Sequence, residues 1–184
     1  MLQSLLIFKG LSVQMSKDKL EIVGTGIEGA LWQMEDIRQR TLDKISDFSI
    51  EALEWHAEGH PNSISTLLYH IAQIEADWLF YEVLGEDFSK IEPLFPYDDR
   101  DDNGRLTIIK NISLAEHIER LATIRQYLLT AYRDMDNEQY RHLREVPEYF
   151  VSPEWVIHHL CQHESEHLGE IMTIHTLYKS KMAG

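Results

Sequence analysis

Cysteine is nearly missing: Cys161 is the one thiol in 184 residues. A lone thiol cannot close an internal disulfide, so this is no disulfide scaffold, and the pattern fits a reducing cytoplasm. Long apolar runs are missing too; none reaches the length that a bilayer demands. Positive charge is scarce. Seventeen Lys and Arg stand against 31 Asp and Glu, a net charge of -14. Nucleic acid and anionic membrane both call for a cationic surface, so neither is expected as a main partner. Internal repeats and low-complexity tracts are absent, and strand alternation is weak. What is left is ordinary globular composition, 43% hydrophobic and 26% charged. The length suits one domain with its own core.

The start, Met1 to Gly10, is mildly apolar but has no basic leader and no small-residue cleavage site, so it does not read as a signal peptide. Met15-Ser16-Lys17 looks like a second start. Residues 1–16 are therefore read as an N-terminal extension and 17–184 as the domain. The apolar stretch Leu5-Leu6-Ile7-Phe8 needs a partner surface, and a homodimer is expected.

Four stretches carry apolar residues at helical spacing. The first, about 26–46, has Ile27, Leu31, Met34, Ile37, Thr41 and Ile45 on one side. The second, about 63–84, starts at Pro61-Asn62-Ser63 and stops at Gly85. The third opens on Ser113, with Glu116 three residues on as a capping box. The fourth follows Ser152-Pro153-Glu154, a cap, a proline and an acid in the order a helix start favours, and runs to about 179. These stripes predict an all-α, antiparallel four-helix bundle. The connection from 86 to 112 is long and rich in turn formers; such a segment crosses the end of a bundle or shapes a site. Arg105 to Ile109 reads as a short extended piece. The 137–151 connection reads as holding a helical turn near 138–143.

The fourth stretch holds the chemistry. His163 and His167 interrupt its apolar stripe, where two more apolar residues would be expected. Residues four apart lie one above the other on a helix, so two imidazoles so placed can grip one ion. Buried without partners they would be costly. His159 and His163 form a rival pair at the same spacing. A third ligand is offered by His70, embedded in the stripe of the second helix between Leu67 and Ile74. Three protein ligands with an open position is the pattern of a catalytic zinc site. His56, His60, His117 and His142 are read as solvated or capping. Cys161, two residues before His163, points away from the His163/His167 face. Glu164 reads as an outer or surface group. Arg125 breaks the third stripe and either pairs with an acid or holds a substrate carboxylate.

Residues 27–178 resemble the DinB-like (DinB/YfiT-type) four-helix-bundle proteins. The likeness is carried by Ser63 to Trp78, by Ser152-Pro153-Glu154-Trp155, by His163-Glu164-Ser165-Glu166-His167-Leu168-Gly169-Glu170-Ile171, and by Asn103 to Thr107. It implies one divalent metal, zinc or nickel, on His70, His163 and His167, which disfavours the 159/163 pair. Many members have two adjacent histidines before the glycine and a glutamine after it. This chain has Glu166-His167 and Glu170 instead, placing an added acid near the metal. The resemblance also implies a thiol-dependent S-transferase or isomerase, with a small-molecule thiol and an electrophile as partners. A metal-dependent hydrolase, or a bundle that binds metal or a small molecule without turnover, are the competing expectations.

Overall fold

The computed structural model describes residues 26–146 and 149–184. The N-terminal extension, the start of the domain at 17 and the apolar stretch Leu5 to Phe8 lie outside the described residues. The protein is mostly helical. The elements are α1 (Ile27–Ile45), α2 (Ile50–Glu54), α3 (Ile64–Asp77), α4 (Leu114–Arg133), α5 (Asn137–Arg141) and α6 (Pro153–Met182), with two short strands, β1 (Arg144–Glu145) and β2 (Phe150–Val151).

Side-chain caps start three of the four long helices where the sequence placed them; α1 starts at Gly26 without one. Ser63 accepts from the Thr66 amide, Ser152 from the Trp155 amide, and Ser113 with Glu116 closes a reciprocal capping box. These bonds satisfy amides that a helix start leaves unpaired. The second stripe does not stay α-helical to its end. It continues as a π-helical segment, Trp78–Leu84, and stops at Gly85, whose φ of 67° an L side chain resists. A Cβ there would also come within 3.0 Å of the Arg144 guanidinium. Two elements were not foreseen: α2, and the antiparallel β1–β2 pair. The expected turn near 138–143 is α5. The expected extended piece at 105–109 is reduced to a single bridge, Arg100 to Leu106.

The buried apolar faces of α1, α3, α4 and α6 make one core, including Met34, Leu67, Leu68, Ile124, Leu128, Val156 and Ile171. Helix α6 packs on α1 and α3, and α4 packs on α3 and α1. Cross-helix contacts fix the directions. His70 meets His163 while the later Trp78 meets the earlier His159, so α3 and α6 oppose. Arg125 bonds the Met34 carbonyl and Arg38 the Leu121 carbonyl, so α1 and α4 oppose as well. In contrast, Ser65 meets His117 and Glu75 meets Arg125, so α3 and α4 run together. Arg38 meets Glu164, and Phe48, just past α1, meets His175, so α1 and α6 also run together. The sequence led to an antiparallel bundle with a long connection between its second and third helices; of these four contacts two are antiparallel and two parallel.

The long connection follows from that. Parallel neighbours cannot be joined by a short turn, so the chain must return along α3 before α4 begins. Tyr69 Oη accepts from the Tyr97 amide at 3.0 Å and donates to its carbonyl at 2.9 Å. Farther on, the Ile109 amide donates to Thr66 Oγ1 at 3.2 Å. The connection is thus tied down beside the middle of α3, next to His70.

Candidate metal centre

His70 enters from α3 and His163 and His167 from successive turns of α6. His70 is 6% exposed; the other two are half-buried. The His163 Nε2 lies 3.2 Å from His70 Nε2 and 3.2 Å from His167 Nε2. One ligand nitrogen from each ring falls within 4.8 Å of the others. A tetrahedral ion with bonds of about 2.0–2.1 Å spaces its nitrogens roughly 3.3–3.4 Å apart, close to what is seen.

The far nitrogens of two of the rings are held by carboxylates. His70 Nδ1 is 2.6 Å from Asp99 Oδ1. Burial pushes the Asp99 carboxyl up, but the bond to His70 and the charges of His70 and Arg100 outweigh it and hold it below the usual range. An ionised carboxylate only accepts, so Nδ1 carries the proton and Nε2 presents its lone pair. His167 Nδ1 meets Glu170 Oε2 at 3.3 Å, and Glu170 is in turn bonded by Asn62 at 3.1 Å. With lone pairs on both His70 and His167 Nε2, a single proton on His163 Nε2 can serve only one of its two contacts. The other sets lone pair against lone pair, which a cation at the centre would relieve. The donor set therefore fits a divalent metal ion. Burial first, then the neighbouring His167 and His70, depresses the His163 imidazole to about 3. Burial and His70 lower His167 as well.

The three histidines singled out in the sequence are thus brought together. His159 is not among them: it stacks on Trp155 at 5.0 Å and meets Trp78 edge-on at 4.8 Å, with its ring 6.0 Å from His163. His142 and His56 are exposed and His60 partly so. His117 departs from the solvated reading. It is fully buried, bonds Ser65 Oγ at 2.9 Å, and burial depresses it to about 4. The cause is its place in the first turn of α4, directly against α3. Cys161 is partly buried and burial pushes its thiol up to about 11, which disfavours a nucleophilic thiolate.

Arg125 pairs with acids, one of its two expected roles. It bonds Glu75 at 2.7 and 3.0 Å and Glu164 at 3.1 Å. Arg38 completes the group, reaching Glu164 at 2.9 Å and Glu75 at 2.7 Å. Glu164, read as an outer or surface group, is 2% exposed and lies in this network, one residue after His163 in the chain. Burial raises its carboxyl, yet Arg38 and Arg125 overcome that and hold it low. The sequence carried little sign of this group. Nor did it mark Asp99, one of several acids in Asp98-Asp99-Arg100-Asp101-Asp102. A surface recess of 680 Å³ beside Phe80, Leu84, Tyr127 and Ala131 shares no residue with the histidine cluster.

Asp99 yields a direct expectation. Asp99→Ala should lower metal affinity by about 10–100-fold, the usual cost of losing an outer carboxylate. Asp99→Asn, which keeps an acceptor oxygen, should cost less. Competition against a chromogenic chelator measures both, and an unchanged Ala variant would deny Asp99 this role.

A helical protein with three imidazoles drawn together across two helices is the class defined by this geometry. The sequence profile of the DinB superfamily matches residues 33–171, and the chain belongs to that family, whose members typically bind metal. Its fold is similar to that of a conserved protein from Enterococcus faecalis, at 11% identity and a TM-score of 0.68. The match covers 84% of this chain and 98% of that one. No curated protein matches. Among the described residues no helix is long and apolar enough to cross a membrane.

Proposed function

We propose that this is a cytoplasmic, homodimeric metalloprotein in which α1, α3, α4 and α6 form a four-helix bundle, two helices pointing each way. His70, His163 and His167 hold one zinc- or nickel-type ion through their Nε2 atoms. The protein acts as a thiol-dependent S-transferase or isomerase on a low-molecular-weight thiol and an electrophile. The observation behind this reading is the convergence of three Nε2 atoms, two of them with the opposite nitrogen held by a carboxylate.

When bound, such an ion lowers the pKa of a thiol and favours its thiolate at neutral pH. The chain's own residues do the rest. Three protein ligands leave a further position for the thiol. Asp99 and Glu170 fix ring orientation. Arg38 and Arg125 neutralise Glu164, so the acid that follows His163 in the chain adds no free charge. The same pairing weighs against a hydrolase of the H-E-x-x-H kind, because Glu164 is held by two guanidiniums and cannot take a proton from water.

Elemental analysis of purified protein should find one divalent ion per chain, and light scattering a dimer. The metal-loaded protein should then accelerate alkylation of a small thiol by monobromobimane. Absence of metal affinity ends the metal reading. Full metal content with no thiol binding or turnover returns the protein to the non-catalytic alternative.

A further inference from the structure

The charges bordering the histidine centre narrow the ligand class, an inference that rests on the thiol reading above. We propose that the ligand accepted beside this centre is a cationic aminothiol, its ammonium group received by Asp77 and Gln73 of α3.

Helix α3 sets His70, Gln73 and Asp77 at i, i+3 and i+7, which places them along one face. Gln73 Oε1 is buried and has no hydrogen-bond partner among the described residues. A buried acceptor in that state calls for a donor. Asp77 is half-buried, and its carboxyl is raised to about 6 by burial first and then by the charge of Asp99, with His70 partly opposing. Two turns along α3 from His70 and on the same face, it offers a carboxylate that is ionised above neutral pH. The next residue, Trp78, meets His159 edge-on at 4.8 Å, and Trp155 stacks on the same ring at 5.0 Å. Aromatic faces favour cations.

Three arginines among the described residues that an anionic ligand could call on already have partners. Arg38 and Arg125 are buried in the network with Glu75 and Glu164. Arg100 bonds the Gly104 carbonyl at 3.0 Å and lies 3.3 Å from Asp99 Oδ2. The acids whose charge bears on the three rings include Glu166 and Glu170, with Asp99 already on His70. A carboxylate-bearing thiol meets like charge here. An aminothiol meets a carboxylate and an unsatisfied amide oxygen.

The test uses cobalt(II)-loaded full-length protein, read by thiolate-to-cobalt absorption at pH about 8, where an alkylammonium is charged and carboxylates are ionised. Cysteamine, 2-mercaptoethanol and mercaptoacetate are titrated in turn. Cysteamine should bind at least about tenfold more tightly than mercaptoacetate. Asp77→Asn should remove most of that preference by weakening cysteamine, leave 2-mercaptoethanol unchanged, and be rescued by Asp77→Glu. Equal or tighter binding of mercaptoacetate by the unaltered protein overturns the inference. So does an Asp77→Asn protein that takes up cobalt and keeps the full preference. If cobalt binds and no thiol gives the absorption, the thiol reading itself fails and this inference falls with it.

Discussion

Arg125→Ala should destabilise the fold by about 3–5 kcal/mol, the cost of removing one partner from a buried charge group. Its side chain is 5% exposed; the guanidinium bonds Glu75 twice and Glu164 once, and its Nη1 also bonds the Met34 carbonyl at 2.5 Å. Alanine leaves Glu75 and Glu164, both nearly inaccessible to water, with Arg38 alone between them. Neither carboxylate can turn outward, because each projects from the inner face of a long helix. Urea denaturation at neutral pH measures the loss as a lower midpoint. A change below about 1 kcal/mol would mean that water already reaches the group. Acid should act in the same direction. Glu164 has a folded pKa below its ordinary value. Its contribution is present above the unfolded glutamate pKa and is lost as pH falls through the folded one.

His163→Ala should abolish stoichiometric metal uptake, a larger loss than the roughly 10–100-fold expected of an outer carboxylate. His163 is the middle ring, in contact with both other Nε2 atoms, so its removal leaves a pair without a centre. His159→Ala and His117→Ala should keep a full equivalent. A His163→Ala protein that retains its metal while His159→Ala loses it would transfer the site to the other pair. The unloaded protein gives a second readout. Burial holds His163 at about 3, so across the range up to the ordinary imidazole value of about 6.5 the unfolded chain binds more protons than the folded one. Stability therefore falls as pH drops through that window, and His163→Ala should flatten the slope. For the same reason protons compete less well for His163 than an ordinary imidazole pKa suggests. The loaded protein should hold its metal to lower pH than a site of unperturbed histidines.

Much of the candidate site was legible because its signals are local. Two histidines four apart on an apolar stripe, and a third within another stripe, need only helix geometry to be placed on inner faces. The helix starts at Ser63, Ser113 and Ser152 were legible for the same reason, since a cap is a bond between residues three apart. Arg125 was visible as an anomaly in its stripe, but its partners were not. Glu75 and Glu164 lie 50 and 39 residues from it in sequence, and each looks like any exposed helical acid. His117 was misplaced because the first turn of a helix is usually wet, and here α3 covers it.

Sequence alone determined the helical content, the starts of the long helices and the candidate imidazoles, because caps, periodicity and i, i+4 spacing act within a few residues of chain; between the 159/163 and 163/167 pairs the spacing did not choose, and only the family resemblance did. Tertiary structure decided the rest. Helix direction was decided there: nothing in a helix encodes whether its neighbour runs with it or against it, and only the return of the 86–112 connection along α3 makes α3 and α4 parallel. That same return brought Asp99 to His70 and so chose, out of a run of acids, the one that holds the ring. The pairing of Arg38 and Arg125 with Glu75 and Glu164 was decided at that level too, because a charge becomes part of a core only when other helices close over it and exclude the water that would otherwise solvate it.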